Sequence, residues 1–211
     1  LFFFSFFSKP VTGNSERKNP RFPSGLLADP FDLYESLPTF PVPPDAKIPS
    51  EFDFISSFPP PGDQGNQKSS AGFAVSYGLI SFYVSESTDK KDLSEIPPLS
   101  EEGLSVFYSP AYLYNQLNNG RDSGASLLEA LTLAQSRGAV TLREMPYTPS
   151  NFRTKPGASQ VETGRKVRLS HIYKINSNHL ASVKYPISKK IPVVVSFLTF
   201  DNFLEAKGNT I

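Results

Sequence analysis

Three helix signatures follow one another between residues 69 and 138, and strand signatures begin only after about residue 150. Phe73, Tyr77, Ile80 and Val84 recur at spacings of four, three and four, which puts them on one face of a 3.6-residue period. Ser69 or Ser70 stands where an N-cap hydroxyl belongs, so this helix should run to about Val84. Ser109-Pro110 reads as an N-cap followed by proline at the first helical position, with Ala111 to Leu117 continuing to a stop near Gly120. Ser126-Leu127-Leu128-Glu129 matches a capping box, in which the serine oxygen accepts from the third helical amide and the glutamate reaches back. Gly138 then ends that helix. Val167 to Leu169, Ile172 to Ile175 and Ile191 to Leu198 read as strands, Val193-Val194-Val195 being the clearest. Asn178 offers a cap for a short helix that Pro186 should interrupt. Helices first and strands later predicts an α+β fold in two lobes, and no internal repeat is visible.

The 211 residues suffice for one domain or two small lobes sharing an interface. The 20 Pro, well above average usage, point to much irregular structure. The sequence has no cysteine, which excludes disulfides, thiolate metal sites and thiol chemistry. Two histidines without an HExxH-type pair give no reason to expect a metal, and no cofactor is expected. A net charge of +1 gives no electrostatic case for a nucleic-acid or anionic-membrane partner. The apolar run from Leu1 to Phe7 is too short to span a bilayer, which takes about 20 residues. It reads as the remnant of a signal peptide, which predicts a secreted or periplasmic protein. Residues 9–47 are a Pro-rich leader without a sustained apolar period, apart from Phe31-Asp32-Leu33-Tyr34.

The segment from Phe58 to Ala74 carries the functional argument. A Gln64-Gly65 turn runs through Lys68-Ser69-Ser70 into the first helix. A nucleophile at a helix N-terminus sits in the positive end of the dipole, and a nearby glutamine amide can donate to an oxyanion. This segment resembles the active-site approach of bacterial members of the papain-like cysteine peptidase family. Ser109-Pro110-Ala111-Tyr112-Leu113-Tyr114 resembles that family's Ser-Pro-x-Tyr-Leu-Tyr helix. Gly120 to Gly124 resembles its Gly-Cys-Asp-Gly-Gly cleft wall, and Gly138-Ala139-Val140 and Pro146-Tyr147 fall at its Gly-Val and Tyr-Pro-Tyr positions.

The resemblance implies a papain-like two-lobe fold over residues 48–211, with a helical lobe at about 60–148 and an incomplete antiparallel β lobe at about 149–211. It implies Gln64 as the oxyanion-hole residue and Ser70 in the place of the nucleophilic cysteine, with Gly65, Asp122, Ser123 and Gly124 binding an extended peptide or protein substrate. Gln67 and Arg121 occupy the two positions that form a disulfide in many relatives. Lys68 replaces a glycine. The family's catalytic histidine and its orienting asparagine follow the segment that Pro192 to Phe197 resembles, and so would lie past Ile211. His171 and His179 precede that segment and read as surface or turn histidines. Three expectations follow: an inactive, truncated peptidase domain; a non-catalytic peptide-binding module using the same cleft; or a serine-nucleophile peptidase if the chain continues past Ile211. Oligomeric state is left open.

Overall fold

The helix that begins at Ser70 is the axis of the molecule. A computed structural model describes residues 25–88 and 92–196. In it this helix runs as α2 (Ser70–Gly72), a π-helical stretch (Phe73–Ile80) and α3 (Ser81–Ser87). Tyr77 and Ile80, on the expected face, are buried, but so are Val75 and Phe82 off that face. The wider π turn rotates side chains away from a 3.6-residue register, and a helix packed on nearly all sides buries more than one stripe.

α5 (Pro110–Leu117) crosses the start of this helix at Gly72. A Cβ on Gly72 would lie 2.7 Å from the Pro110 carbonyl oxygen and 3.3 Å from Tyr114 Cβ, so glycine sets how closely the two helices approach. Tyr112, Leu113 and Tyr114 are fully buried. At about 1.5–3 kcal/mol for each large side chain, that burial outweighs the cost of nucleating so short a helix. α6 (Leu127–Arg137) follows with the expected capping box: the Glu129 amide donates to Ser126 Oγ at 3.1 Å and the Ser126 amide to Glu129 Oε2 at 3.3 Å. Gly138, at φ 72°, stops it. α4 (Glu101–Val106), with Ser100 as its cap, closes a second apolar cluster of Tyr77, Leu93, Phe107 and Leu142. The phenyl rings of Phe58 and Phe82 stack at 4.7 Å and carry the segment before Pro59 onto the back of α3.

The strand expectations require correction. Among the described residues the one sheet is two-stranded and parallel, not antiparallel. Its first strand, β1 (Leu26–Leu27), comes from the leader, and its second, β2 (Ala125–Ser126), from the cleft wall. Val167 to Leu169 makes no strand; Val167 O accepts from the Ala139 amide at 3.1 Å and the Leu169 amide donates to Ala134 O at 3.4 Å. Ile172 to Ile175 reduces to a single bridge between Lys174 and Thr39 of the leader. Residues 191–196 are irregular, and Phe197 and Leu198 lie outside the described residues. β-branched composition marks Val193 to Val195 as fit for a sheet, but a strand exists only where a neighbour supplies the other half of the ladder. α8 (Leu180–Ser188) forms with Pro186 inside it rather than stopping before it. Pro186 sits in the last turn, two residues before the helix ends, so the donor it lacks interrupts the ladder only near its end. α7 (Ala158–Gly164) was not anticipated; the Gln160 side-chain oxygen accepts from the Gly157 amide at 2.8 Å and fixes its start.

The described part of the leader packs on the domain. Besides β1 it forms α1 (Phe31–Glu35), and Lys174 Nζ is 2.9 Å from Glu35 Oε2. The expected remnant at residues 1–8 and the rest of the leader up to residue 24 lie outside the described residues. No helix among the described residues is long and apolar enough to cross a membrane.

Candidate functional site

Ser70 is the first residue of the central helix, and its hydroxyl donates to Gln64 Oε1 at 3.0 Å. The juxtaposition expected from the sequence is therefore present, with the carbonyl end of the Gln64 amide meeting the Ser70 hydroxyl. A serine hydroxyl has one proton to donate. Here it goes to an amide oxygen, which does not act as a base at neutral pH.

Local chemistry holds the Gln64 loop. Asp63 Oδ1 accepts from the Gly65 amide at 2.7 Å, and Gly65 turns at φ 57° with the Pro149 ring against it. The Tyr147 hydroxyl donates to the Gln64 carbonyl at 2.8 Å. Its one proton being used there, Ser69 Oγ, also 2.8 Å away, is the donor to it. Burial pushes the Tyr147 hydroxyl up to about 12, so it remains a protonated donor across the neutral range. Tyr147 thus clamps the Gln64 loop to the residue before Ser70. Its ring meets Phe73 edge-on at 4.8 Å. Tyr147→Phe keeps that packing and removes the clamp. We expect it to cost about 1–2 kcal/mol, read as a lower urea midpoint at unchanged slope. An unchanged midpoint would mean the clamp contributes nothing.

The opposite wall is tied to the same helix start. Asp122 Oδ1 accepts from the Tyr114 hydroxyl at 2.5 Å and from the Lys68 amide at 2.9 Å. Burial, reinforced by the bond donated to Asp122, pushes the Tyr114 hydroxyl above the usual phenol range. The Gly124 amide donates back to that hydroxyl at 3.2 Å. Asp122 therefore cross-links the two sides. Arg121 is exposed, and Gln67 is buried with its amide donating to Pro149 O at 3.1 Å. Ser123 is exposed at the rim.

The space between the walls is not open. Gly25 of the leader is buried there at φ 58°: a Cβ on it would strike the Lys68 backbone, and one on Gly124 would strike the Gly25 carbonyl. The Ala125 amide donates to Gly25 O at 3.0 Å, and Leu26 and Leu27 then align with Ala125 and Ser126. Sequence reading missed this, since nothing local to Gly25 announces a partner as distant in the chain as Ala125.

Both histidines stand elsewhere. His179 precedes α8 as its N-cap residue, and His171 stacks on Tyr173 at 6.1 Å. His171 also lines an apolar cavity of about 130 Å³ with Leu79 and Tyr83 of the central helix. At about 1.5 Å of rise per residue, those helix positions lie more than about 10 Å along the axis from Ser70. No group of acidic or histidine side chains that could hold a metal occurs among the described residues.

No family model matches the chain, and no curated protein matches it. Among solved structures it superimposes on xylellain, a cysteine protease from Xylella fastidiosa, with a TM-score of 0.66 at 14% sequence identity. The match covers 84% of this chain and 66% of that one, so the chain spans a little under two thirds of xylellain's length. At that identity the likeness is one of fold. Over the residues matched, the chain has the fold of a papain-like cysteine protease.

Proposed function

We propose that this chain is a papain-like peptidase domain that holds extended peptide in the cleft between Gln64–Ser70 and Asp122–Ser126 and does not cut it. The observation that carries the reading is the Ser70 hydroxyl donating to the Gln64 amide oxygen at 3.0 Å. A serine becomes a useful nucleophile only when an adjacent base takes its proton, and the group in that place is a carbonyl. Gly65, Ser123 and Gly124 form the cleft's edges in this reading, and Gln64 is the remaining electrophilic element. The peptide-holding half is supported by the leader backbone already lying extended against β2.

Turnover of a fluorogenic peptide pool by the wild-type chain and by Ser70→Cys tests it. Neither should hydrolyse peptide in this reading, because the Ser70 proton goes to an amide oxygen and general acid–base help worth about 10²–10⁴-fold needs a base in that place. Ser70→Cys should still react with iodoacetamide, which needs only a reachable thiolate at a helix start. Hydrolysis by the wild type would make Ser70 the nucleophile of a serine peptidase. Hydrolysis by Ser70→Cys alone would mean that a base reaches the site and that only the thiol is lacking.

A further inference from the structure

The leader does more than fill space, because one of its side chains is seated in a polar socket. Asp29 Oδ1 accepts from Ser126 Oγ at 2.7 Å and from the Leu128 amide at 2.8 Å. The carboxylate thus sits at the N-terminus of the 11-residue α6, where the helix dipole favours negative charge and an amide points outward. The rest of the segment makes few side-chain demands. Leu27 and Ala28 are exposed and Leu26 is half-buried against the core. What holds the segment is its buried glycine between Lys68 and Gly124, the backbone pairing on β2, and the carboxylate four residues on.

We propose that β2 and the start of α6 form a peptide subsite selective for an acidic side chain. Its ligand is an extended peptide running parallel to β2, with a glycine at the Lys68–Gly124 constriction and an aspartate four residues later. Such a peptide takes in trans the place that Gly25 to Asp29 holds in cis. This rests on the reading that the cleft holds extended peptides, and adds to it which peptides are held. Two bonds to an ionised acceptor are the strong kind, and an amide in that place keeps the shape while losing the charge.

The test uses the full chain carrying Gly25→Ala, which loosens the leader and lowers its effective concentration at the site. Two fluorescein-labelled peptides are titrated by anisotropy: Ser-Gly-Leu-Leu-Ala-Asp-Pro-Phe, the sequence of residues 24–31, and the same peptide with asparagine for its aspartate. The acidic peptide should bind at least tenfold more tightly, and the gap should narrow with added salt. Ser126→Ala should shrink the gap by weakening the acidic peptide alone. Because the comparison lies in the ligand, it survives any loss of stability that Ser126→Ala brings. Equal affinity for the two peptides overturns the acidic subsite and leaves the cleft reading standing. If neither peptide binds, the cleft reading falls and the subsite with it.

Discussion

Gly138→Ala should be the most damaging single-methyl change in the molecule, lowering stability by about 3–5 kcal/mol. The backbone at 138 has φ 72° and ψ −149°. That region is open almost only to glycine, and holding another residue there costs about 1–3 kcal/mol. Space is denied as well. A Cβ at this position would overlap the carbonyl oxygens of Gly164 and Val167. These are backbone atoms: the Val167 carbonyl already accepts from the Ala139 amide, and the Gly138 amide closes α6 on Ala134 O at 3.0 Å. They cannot step aside as the end of a flexible side chain would. Overpacking of that kind adds about 1–3 kcal/mol. The melting temperature should fall by about 6–20 °C, at about 2–4 °C per kcal/mol for a chain of this size. A shift under about 2 °C would mean that the end of α7 moves freely against α6 and that the close approach is not a fixed part of the fold.

What the sequence disclosed about this region and what it withheld differ in range. Ser126, Glu129 and Gly138 announce α6 because capping and termination are settled within a few residues. That Gly138 also faces Gly164 was not legible, since no local pattern records which carbonyl a Cβ would meet. The Gln64–Ser70 pair was legible for a different reason. Six positions apart and joined by a turn, the two residues fall into a recognisable motif. The orientation of the amide was not part of that motif. The sequence marks Asp122 only as part of the cleft wall, and does not record that its carboxylate joins Tyr114 and Lys68. The tyrosine hydroxyl that claims it lies eight residues back on a buried helix, beyond the reach of a periodicity argument. The late strands failed by the same logic in reverse. Val193 to Val195 have the composition for a ladder, but a ladder needs a second strand, and composition cannot supply one. The sheet that does form uses two residues on each side, too few for any alternating pattern to register.

Gly25→Ala is expected to free the leader while leaving the domain folded. At φ 58° an alanine costs about 1–2 kcal/mol relative to glycine. Its Cβ would also run into the Lys68 main chain, which the Asp122 carboxylate holds through the Lys68 amide. Together these amount to about 2–3 kcal/mol against the docked state. They fall on a segment whose own anchors are few: one amide on Gly25 O, a two-residue ladder and the Asp29 carboxylate. Local opening draws on that small reserve, not on the stability of the core. A protease that cuts at leucine, added at low concentration, should therefore cleave between Leu26 and Leu27 about 30-fold to 150-fold faster in the variant. When opening and closing are fast relative to cleavage, the rate follows the open population. The urea midpoint of the domain should move far less, because Tyr112, Leu113 and Tyr114 are untouched. Asp29→Asn should accelerate the same cut by a smaller factor, since it removes the charge at α6 but leaves Gly25 in place. If Gly25→Ala leaves the cleavage rate unchanged, the leader is held by something other than the constriction between Lys68 and Gly124. If the cut accelerates only as fast as global unfolding does, the leader and the domain open as one unit, and the cleft has no separate open state for a peptide to enter.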